Sequence, residues 1–68
     1  MNKFKERLKE LREDKRLKQS QVAESLKVSA TAYANWEQGR REPSIDVILM
    51  LCKFFKVTAG QLLGSEDL

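Results

Sequence analysis

The hydrophobic positions along this chain recur every three or four residues, and the β-branched residues are scattered without alternating with polar ones. This spacing is typical of amphipathic α-helices, whereas half-buried strands alternate with a period of two. A chain of 68 residues forms one domain with a thin core. The pattern therefore predicts a single all-α domain over residues 1–68, built from five short helices.

The first two predicted helices are separated by a few polar residues. The first begins after an N-cap at Asn2 and ends near Lys15, and Leu17 enters the core just after it. Its apolar face consists of Phe4, Leu8 and Leu11. The second covers "QSQVAESLK", and its buried face consists of Val22, Ala23 and Leu26. Both faces follow the helical period.

The third predicted helix runs from about Ala30 to Gln38. Ser29 can accept a hydrogen bond from a free amide of the first turn, and Gly39 is suited to a left-handed C-cap. The apolar side consists of Ala32, Tyr33 and Trp36. Together with the second helix and a turn of about three residues, this segment predicts a helix-turn-helix motif over residues 19–38, with small Ala23 allowing a close crossing. A plain helical bundle with ordinary core spacing is the alternative.

The fourth predicted helix follows Pro43 and a Ser44 cap, and runs from Ile45 to about Lys56. At 100° per residue its core face is predicted to consist of Ile45, Ile48, Leu49, Cys52 and Phe55. The opposite face consists of Val47, Met50 and Phe54, with Leu51 between the two. A helix that is apolar all round is normally buried on both sides, which predicts a homodimer interface at Val47, Met50 and Phe54. Alternatively, Leu62, Leu63 or the tail covers this stripe. A short fifth helix is capped by Thr58, and residues 64–68 form a frayed end.

The composition excludes most enzymatic and metal chemistry. The sequence has no His, one Cys, and no glycine-rich phosphate loop or nucleophile motif, so no catalytic site, metal, cofactor or small-molecule site is expected. No apolar run is long enough to span a membrane and no signal peptide is recognisable, so a cytoplasmic location is expected. The net charge of +3 is uneven, since residues 1–18 contain eight Lys or Arg against four Asp or Glu. A polyanionic partner is compatible with this balance.

The stretch "LKQSQVAESLKVSATAYANWEQGRREPS" closely resembles the lambda-repressor-like helix-turn-helix family, which includes Cro and the XRE-type regulators. The resemblance runs from about Phe4 to Leu63. Its most specific parts are Gln-x-x-Val-Ala at residues 19–23, "VS" at 28–29, "WEQGRREP" at 36–43 and the trailing "FKVTAGQLL". It implies a five-helix domain that binds double-stranded DNA, usually as a dimer, and regulates transcription. Lys18 and Lys27 depart from the family, which often has a polar cap and a glycine at these positions.

The resemblance also implies roles for individual residues. The start of the third helix would enter the major groove, and its outward-facing residues, Ala30, Thr31, Ala34 and Asn35, would contact base edges. The DNA backbone would be held by Gln19, Gln38, Arg40 and Arg41. Arg12 and Glu37 match family positions that form an ion pair between the first and third helices.

Each of these roles has a simpler alternative. Arg40 and Arg41 can be solvated loop charges, Thr31 can help to cap its helix, and Asn35 can meet a phosphate or water. Arg12 and Glu37 can be two unrelated exposed charges. At the level of function, we expect a repressor that acts as a homodimer on a palindromic operator. The alternatives are an antitoxin, a phage or restriction-system controller, or a protein-interaction module that has lost DNA binding.

Overall fold

The computed structural model describes residues 3–68, and this part of the chain folds into five α-helices with no strand. The helices are α1 (Phe4–Asp14), α2 (Gln19–Leu26), α3 (Ala30–Gln38), α4 (Ile45–Phe55) and α5 (Ala59–Leu63). The predicted all-α, five-helix fold is confirmed. The predicted cap at Asn2 lies outside the described residues; Lys3 occupies the N-cap position of α1 and makes no side-chain cap.

Three hydroxyl caps set where α3, α4 and α5 begin. Ser29, Ser44 and Thr58 each accept a hydrogen bond from the amide three residues later, at 3.0, 3.3 and 3.0 Å. These bonds satisfy amides that have no partner within the helix. At α2 the N-cap residue supplies the amide and the later residue supplies the side chain: the Lys18 amide donates to Gln21 Oε1 at 2.7 Å. Hydrogen bonds between residues three positions apart therefore define where α2, α3, α4 and α5 begin.

The ends of α2, α3 and α4 all adopt the left-handed conformation. Gly39 has φ 76°, whereas Lys27 and Lys56 have φ 60° and 58°. A lysine pays about 1 kcal/mol for this conformation, which glycine adopts freely. Lys27 thus adopts the left-handed conformation at a position where the family often has glycine, and Lys56 adopts the same conformation at the end of α4.

The core lies where α1, α2 and α3 meet the inner sides of α4 and α5. Its fully buried members include Leu8, Val22 and Tyr33, and Ala23 is only 2% exposed at the crossing of α2 and α3. The rings of Tyr33 and Trp36 pack edge to face with centroids 5.9 Å apart. Leu17 and Val28 pack against this cluster from the connecting turns. The core therefore fixes the position and orientation of α2 relative to α3.

The packing of α4 differs from the prediction. Ile45 and Leu49, predicted to face the core, are 76% and 58% exposed, whereas Leu51, placed between the two faces, is fully buried. The predicted core face was therefore wrong for Ile45 and Leu49. The buried positions are Leu51 and Phe55, and Val47, one turn before Leu51 on the same i, i+4, i+8 row, is half-buried.

The segment after α5 turns back towards α1. Arg7 Nη1 donates to the carbonyls of Gln61 and Glu66 at 2.6 and 2.8 Å, and the amide of Lys3 donates to the carbonyl of Leu63 at 3.0 Å. Thr58 Oγ1 lies 2.5 Å from a carboxylate oxygen of Glu66. These bonds connect the start of α1 to residues 61–66.

Candidate nucleic-acid interface

The first turns of α3 present a small, uncharged surface. Ala30 and Thr31 are exposed, and Ala34 and Asn35 are half-buried beside them. Tyr33 and Trp36 point into the core, so the helix cannot rotate without losing its buried aromatic side. We call Ala30, Thr31, Ala34 and Asn35 the recognition face. Since none of these side chains is long, a flat partner can approach the backbone of α3 closely.

Asn35 offers both a donor and an acceptor at the recognition face. Its side-chain amide forms no hydrogen bond with any of residues 3–68, although its backbone carbonyl accepts from the Arg40 amide at 3.0 Å. An amide of this kind can pair bidentately with an adenine edge. The Arg40 contact also ties the loop after α3 to the helix that presents the recognition face.

Arg12 and Glu37 join the end of α1 to the end of α3. Arg12 Nε lies 2.7 Å from Glu37 Oε2, and Arg12 Nη2 donates to Glu37 Oε1 at 3.0 Å. The two side chains are 13% and 3% exposed, and Arg12 Nη1 also donates to the carbonyl of Leu17 at 2.9 Å. The residues that the resemblance pairs therefore form a bidentate bond in a nearly dry site, which is stronger than a surface pair.

Gln19 occupies the first position of α2 and belongs to the same network. Its Nε2 donates to Glu37 Oε1 at 3.1 Å, and the side chain is half-buried. One amide hydrogen is therefore directed inward, while the second hydrogen remains available to a phosphate. This link could not be predicted from the sequence, because no local pattern relates residue 19 to residue 37.

Burial and the hydrogen-bond network shift the pKa values of several groups, including Glu37 and Tyr33. Burial disfavours the charged form of Glu37, but the hydrogen bonds from its neighbours, led by Arg12, outweigh this and hold the pKa of Glu37 below its usual value. Burial raises the pKa of Tyr33, and the negative charge of Glu37 raises it further. The Tyr33 hydroxyl has no hydrogen-bond partner within residues 3–68. At neutral pH, Glu37 is therefore charged and Tyr33 is neutral.

The residues after α3 are solvent-exposed. Gln38, Arg40 and Arg41 are all exposed, and neither arginine forms an ion pair with a residue in the described part of the chain. The left-handed turn at Gly39 carries the chain away from the helix axis directly after Gln38. Gln38, Arg40 and Arg41 therefore lie beyond the recognition face, while Gln19 lies on the other helix of the motif.

Between residues 3 and 68, no helix is both long and apolar enough to span a bilayer. The same residues contain no group of three or more His, Cys, Asp or Glu side chains that could hold a metal ion.

Comparisons with known proteins agree with this architecture. A family model described as helix-turn-helix matches residues 8–62. The chain is 45% identical over 65 residues to the HTH-type transcriptional activator BcrR of Enterococcus faecalis, covering 96% of this chain and 32% of BcrR. It is 38% identical over 61 residues to the HTH-type transcriptional regulator AnsR of Bacillus subtilis, covering 90% of this chain and 53% of AnsR. The chain thus spans between a third and about half of these relatives.

A solved structure shares the fold. The crystal structure of a transcriptional regulator from Listeria innocua superposes with a TM-score of 0.89 and 28% identity, over 100% of this chain and 64% of that one. The family match covers both helices of the motif, the loop after α3 and the predicted landmarks of the resemblance. This chain belongs to the lambda-repressor-like (Cro/XRE-type) helix-turn-helix DNA-binding family.

Proposed function

We propose that this domain binds double-stranded DNA in a sequence-specific way, as the DNA-binding part of a small transcriptional repressor. The observation that supports this most strongly is the recognition face of α3. Its small residues lie beside an Asn35 side-chain amide that forms no hydrogen bond with any of residues 3–68, on a helix whose rotation is fixed by the buried Tyr33 and Trp36.

The recognition face suits the major groove. The groove is about 12 Å wide and admits one α-helix. With the start of α3 in the groove, Asn35 pairs with an adenine, and the methyl groups of Ala30 and Thr31 meet thymine methyls. Small side chains let the helix approach closely, so positive charge is not needed on α3 itself.

The phosphates are contacted from the flanks. Gln19 offers its remaining amide hydrogen, while Gln38, Arg40 and Arg41 hold the strand beyond α3. The free amides at the starts of α2 and α3 add uncharged donors. Contacts of this kind position the protein on the duplex, and the recognition face supplies the preference for sequence.

Selection from random duplexes at a stated salt concentration tests the proposal directly. The wild-type protein should enrich one half-site. On that site, Asn35→Ala should lose about 1–3 kcal/mol of binding free energy and relax the preference at one adenine. Arg41→Ala should weaken binding to selected and random DNA alike, and lower the slope of log K against log salt by about one.

Two results would contradict this assignment. If Asn35→Ala weakens selected and random duplexes equally, Asn35 is a backbone contact. If the wild-type protein enriches no sequence and its weak binding does not depend on salt, the domain is a protein-interaction module and the proposal fails.

We also propose that the domain acts as a homodimer through the exposed side of α4. Ile45, Leu49 and Met50 are 76%, 58% and 41% exposed on this side, whereas Val47 and Phe54 from the predicted interface are half-buried against the core. We call Ile45, Leu49 and Met50 the α4 patch; of the predicted interface residues, it retains Met50.

Charge complementarity favours a second copy as the occupant of the α4 patch. Asp46 and Lys53 are both exposed and lie seven residues apart, so they share a side of α4 with Leu49. If two α4 helices pack antiparallel about Leu49, Asp46 of each copy faces Lys53 of the other. A two-fold dimer would present two recognition helices about 34 Å apart, which matches a palindromic operator.

A charge swap tests the dimer. In analytical ultracentrifugation, Leu49→Glu and Asp46→Lys should each be monomeric while remaining helical, and Asp46→Lys combined with Lys53→Asp should restore the dimer. Full-operator affinity should fall and return with the dimer. A wild-type protein that stays monomeric at high concentration would rule out this interface and leave half-site recognition intact.

Repression requires only that the protein occupies its DNA site. A protein bound across a promoter blocks RNA polymerase sterically and needs no additional interaction surface to do so. Transcription in vitro from a promoter that overlaps the selected site should fall as the protein is added. Stimulation instead would indicate an activator, as BcrR is named. Antitoxins and phage or restriction-system controllers would repress their own promoters in the same assay and would be distinguished by the neighbouring genes.

A further inference from the structure

Lys5, in the first turn of α1, lies against the end of α3. A methyl group built on the Cα of Gly39 would come within 2.8 Å of Lys5 Cδ and 3.5 Å of Lys5 Nζ. The Lys5 side chain therefore extends over Gly39, and its ammonium group lies beside the turn that leads to Arg40. Thirty-four positions separate the two residues in sequence, so only the packing of α1 on α3 brings them together.

This contact places the Lys5 ammonium group next to the segment that carries Arg40 and Arg41, and we call these three cations, from two separate segments, the cluster. Lys5, Arg40 and Arg41 are all exposed, and within residues 3–68 none of them forms an ion pair. Glu42, the carboxylate that follows Arg41 in sequence, lines a cleft with Phe4 and Pro43 and is not paired with any of these three cations. A cluster of unpaired cations repels itself, and an anionic partner relieves this repulsion.

The position of the cluster relative to α3 points to the DNA backbone. A nine-residue helix is about 13 Å long, close to the width of the major groove of about 12 Å. With its first turns among the bases, the last turn of α3 reaches the edge of the groove, where a phosphate strand runs. Gly39 and Lys5 lie at this end of the helix.

We propose that Lys5 contacts a DNA phosphate together with Arg40 and Arg41, so that α1 contributes directly to DNA binding. The inference rests on the proposed DNA-binding function and extends it to a helix outside the motif. Gly39 is part of the arrangement, because a side chain there would displace the Lys5 stem in addition to straining the left-handed turn.

A purely structural role for Lys5 has a different signature. An ammonium group near the end of α3 interacts favourably with the free carbonyls of the last turn, and its loss would lower the free energy of unfolding slightly. It would not alter how binding to DNA depends on salt. The two roles therefore separate when binding and stability are measured on the same variants.

The experiment measures binding of the full chain to its selected duplex between 50 and 200 mM salt. Lys5→Gln should lower the slope of log K against log salt by about 0.9, as one lost phosphate contact does. Its affinity should fall about tenfold at 50 mM and about threefold at 200 mM. Lys5→Arg should retain the wild-type slope, because the charge is kept.

Lys3→Gln is the matched control. It makes the same change of net charge at an exposed lysine two positions away, whose side chain lies against Gly64 at the end of α5 and not against Gly39, and it should leave the slope unchanged. A scan with single methylphosphonates adds a positional test. One neutralised phosphate should weaken wild-type binding about tenfold and have little further effect on Lys5→Gln.

The possible outcomes are distinguishable. A wild-type slope in Lys5→Gln, with or without a lower urea midpoint, would overturn the phosphate contact and leave the proposed function standing. Equal loss of slope in Lys5→Gln and Lys3→Gln would show a general charge effect and would also overturn it. If the wild-type protein itself has no salt-dependent binding, it is the proposed function that fails.

Discussion

Where α1, α2 and α3 meet, charged and amide groups are buried and bonded to one another, whereas the exposed side of α4 presents apolar side chains to water. Glu37 is almost fully buried and receives hydrogen bonds from Arg12 and Gln19. Ile45 and Leu49 on α4 are mostly exposed to solvent. The usual distribution of polar and apolar groups is thus reversed in both regions.

The difference indicates which part of the fold is complete by itself. The polar network satisfies its charges internally and connects the two helices of the motif to α1, so it fixes the geometry of the recognition face. The α4 patch leaves apolar surface unused, which monomeric domains of this size generally minimise. The first region maintains the shape of the domain, and the second is the surface that we propose for dimerisation.

The largest expected effect comes from breaking the buried ion pair. Arg12→Ala leaves the Glu37 carboxylate in a site only 3% exposed, with Gln19 as its remaining donor. Removing one partner of a buried pair typically costs about 3–5 kcal/mol. Urea unfolding should therefore show a much lower midpoint. The control is Lys9→Ala, an exposed charge on the same helix, and an Arg12→Ala midpoint equal to that of the control would show that the pair contributes nothing.

A second comparison separates the two sides of α4. Leu51→Ala removes a fully buried side chain and should cost about 3 kcal/mol. Leu49→Ala, two positions away, should change the unfolding free energy of the monomer by less than about 0.5 kcal/mol. Measurements at low protein concentration keep dimerisation out of the result. Similar losses for both variants would mean that α4 is rotated relative to the structure described above.

The third prediction uses pH on the same ion pair. Since the pKa of Glu37 is lowered in the folded state, the stability it contributes is present above its ordinary value of 4.5. This contribution is lost as the pH falls from there through the lowered value. Wild-type protein should therefore lose more stability on acidification than Glu37→Gln, measured by urea unfolding from pH 7 to pH 2.5. Parallel pH profiles would contradict the ionised, bonded state of Glu37.

The smallest expected effect concerns the turn between α2 and α3. Lys27 has φ 60°, so Lys27→Gly should raise the unfolding free energy by up to about 1 kcal/mol. The same replacement inside α4, Lys53→Gly, should lower it by about 1 kcal/mol, because glycine is a poor helix former. A loss of stability in Lys27→Gly would show that the lysine side chain offsets the cost of its backbone.

Much of this fold could be predicted because its signals are local. Ser29, Ser44 and Thr58 cap their helices through bonds that span three residues, and Gly39 ends α3 through its own backbone. The buried face of α2 follows from a period within eight residues. Features determined over such short distances remain the same in any tertiary context.

The orientation of α4 could not be predicted in this way. Nearly every position from Ile45 to Phe55 is apolar, so the rows through Leu49 and through Leu51 fit the helical period equally well. The choice between them depends on where the loop at Pro43 places the helix, which no short pattern contains. Likewise, the bonds from Gln19 to Glu37 and the contact of Lys5 with Gly39 arise from packing between distant segments.

The hydrogen bond between the Lys3 amide and the Leu63 carbonyl places the first and last helices side by side. A short flexible linker could join these points, and the chain could then be opened in the exposed loop at Arg41. Such a circular permutant would begin with α4 and end with the recognition helix. The order in which the helices follow one another along the chain is therefore separable from the three-dimensional arrangement that they build.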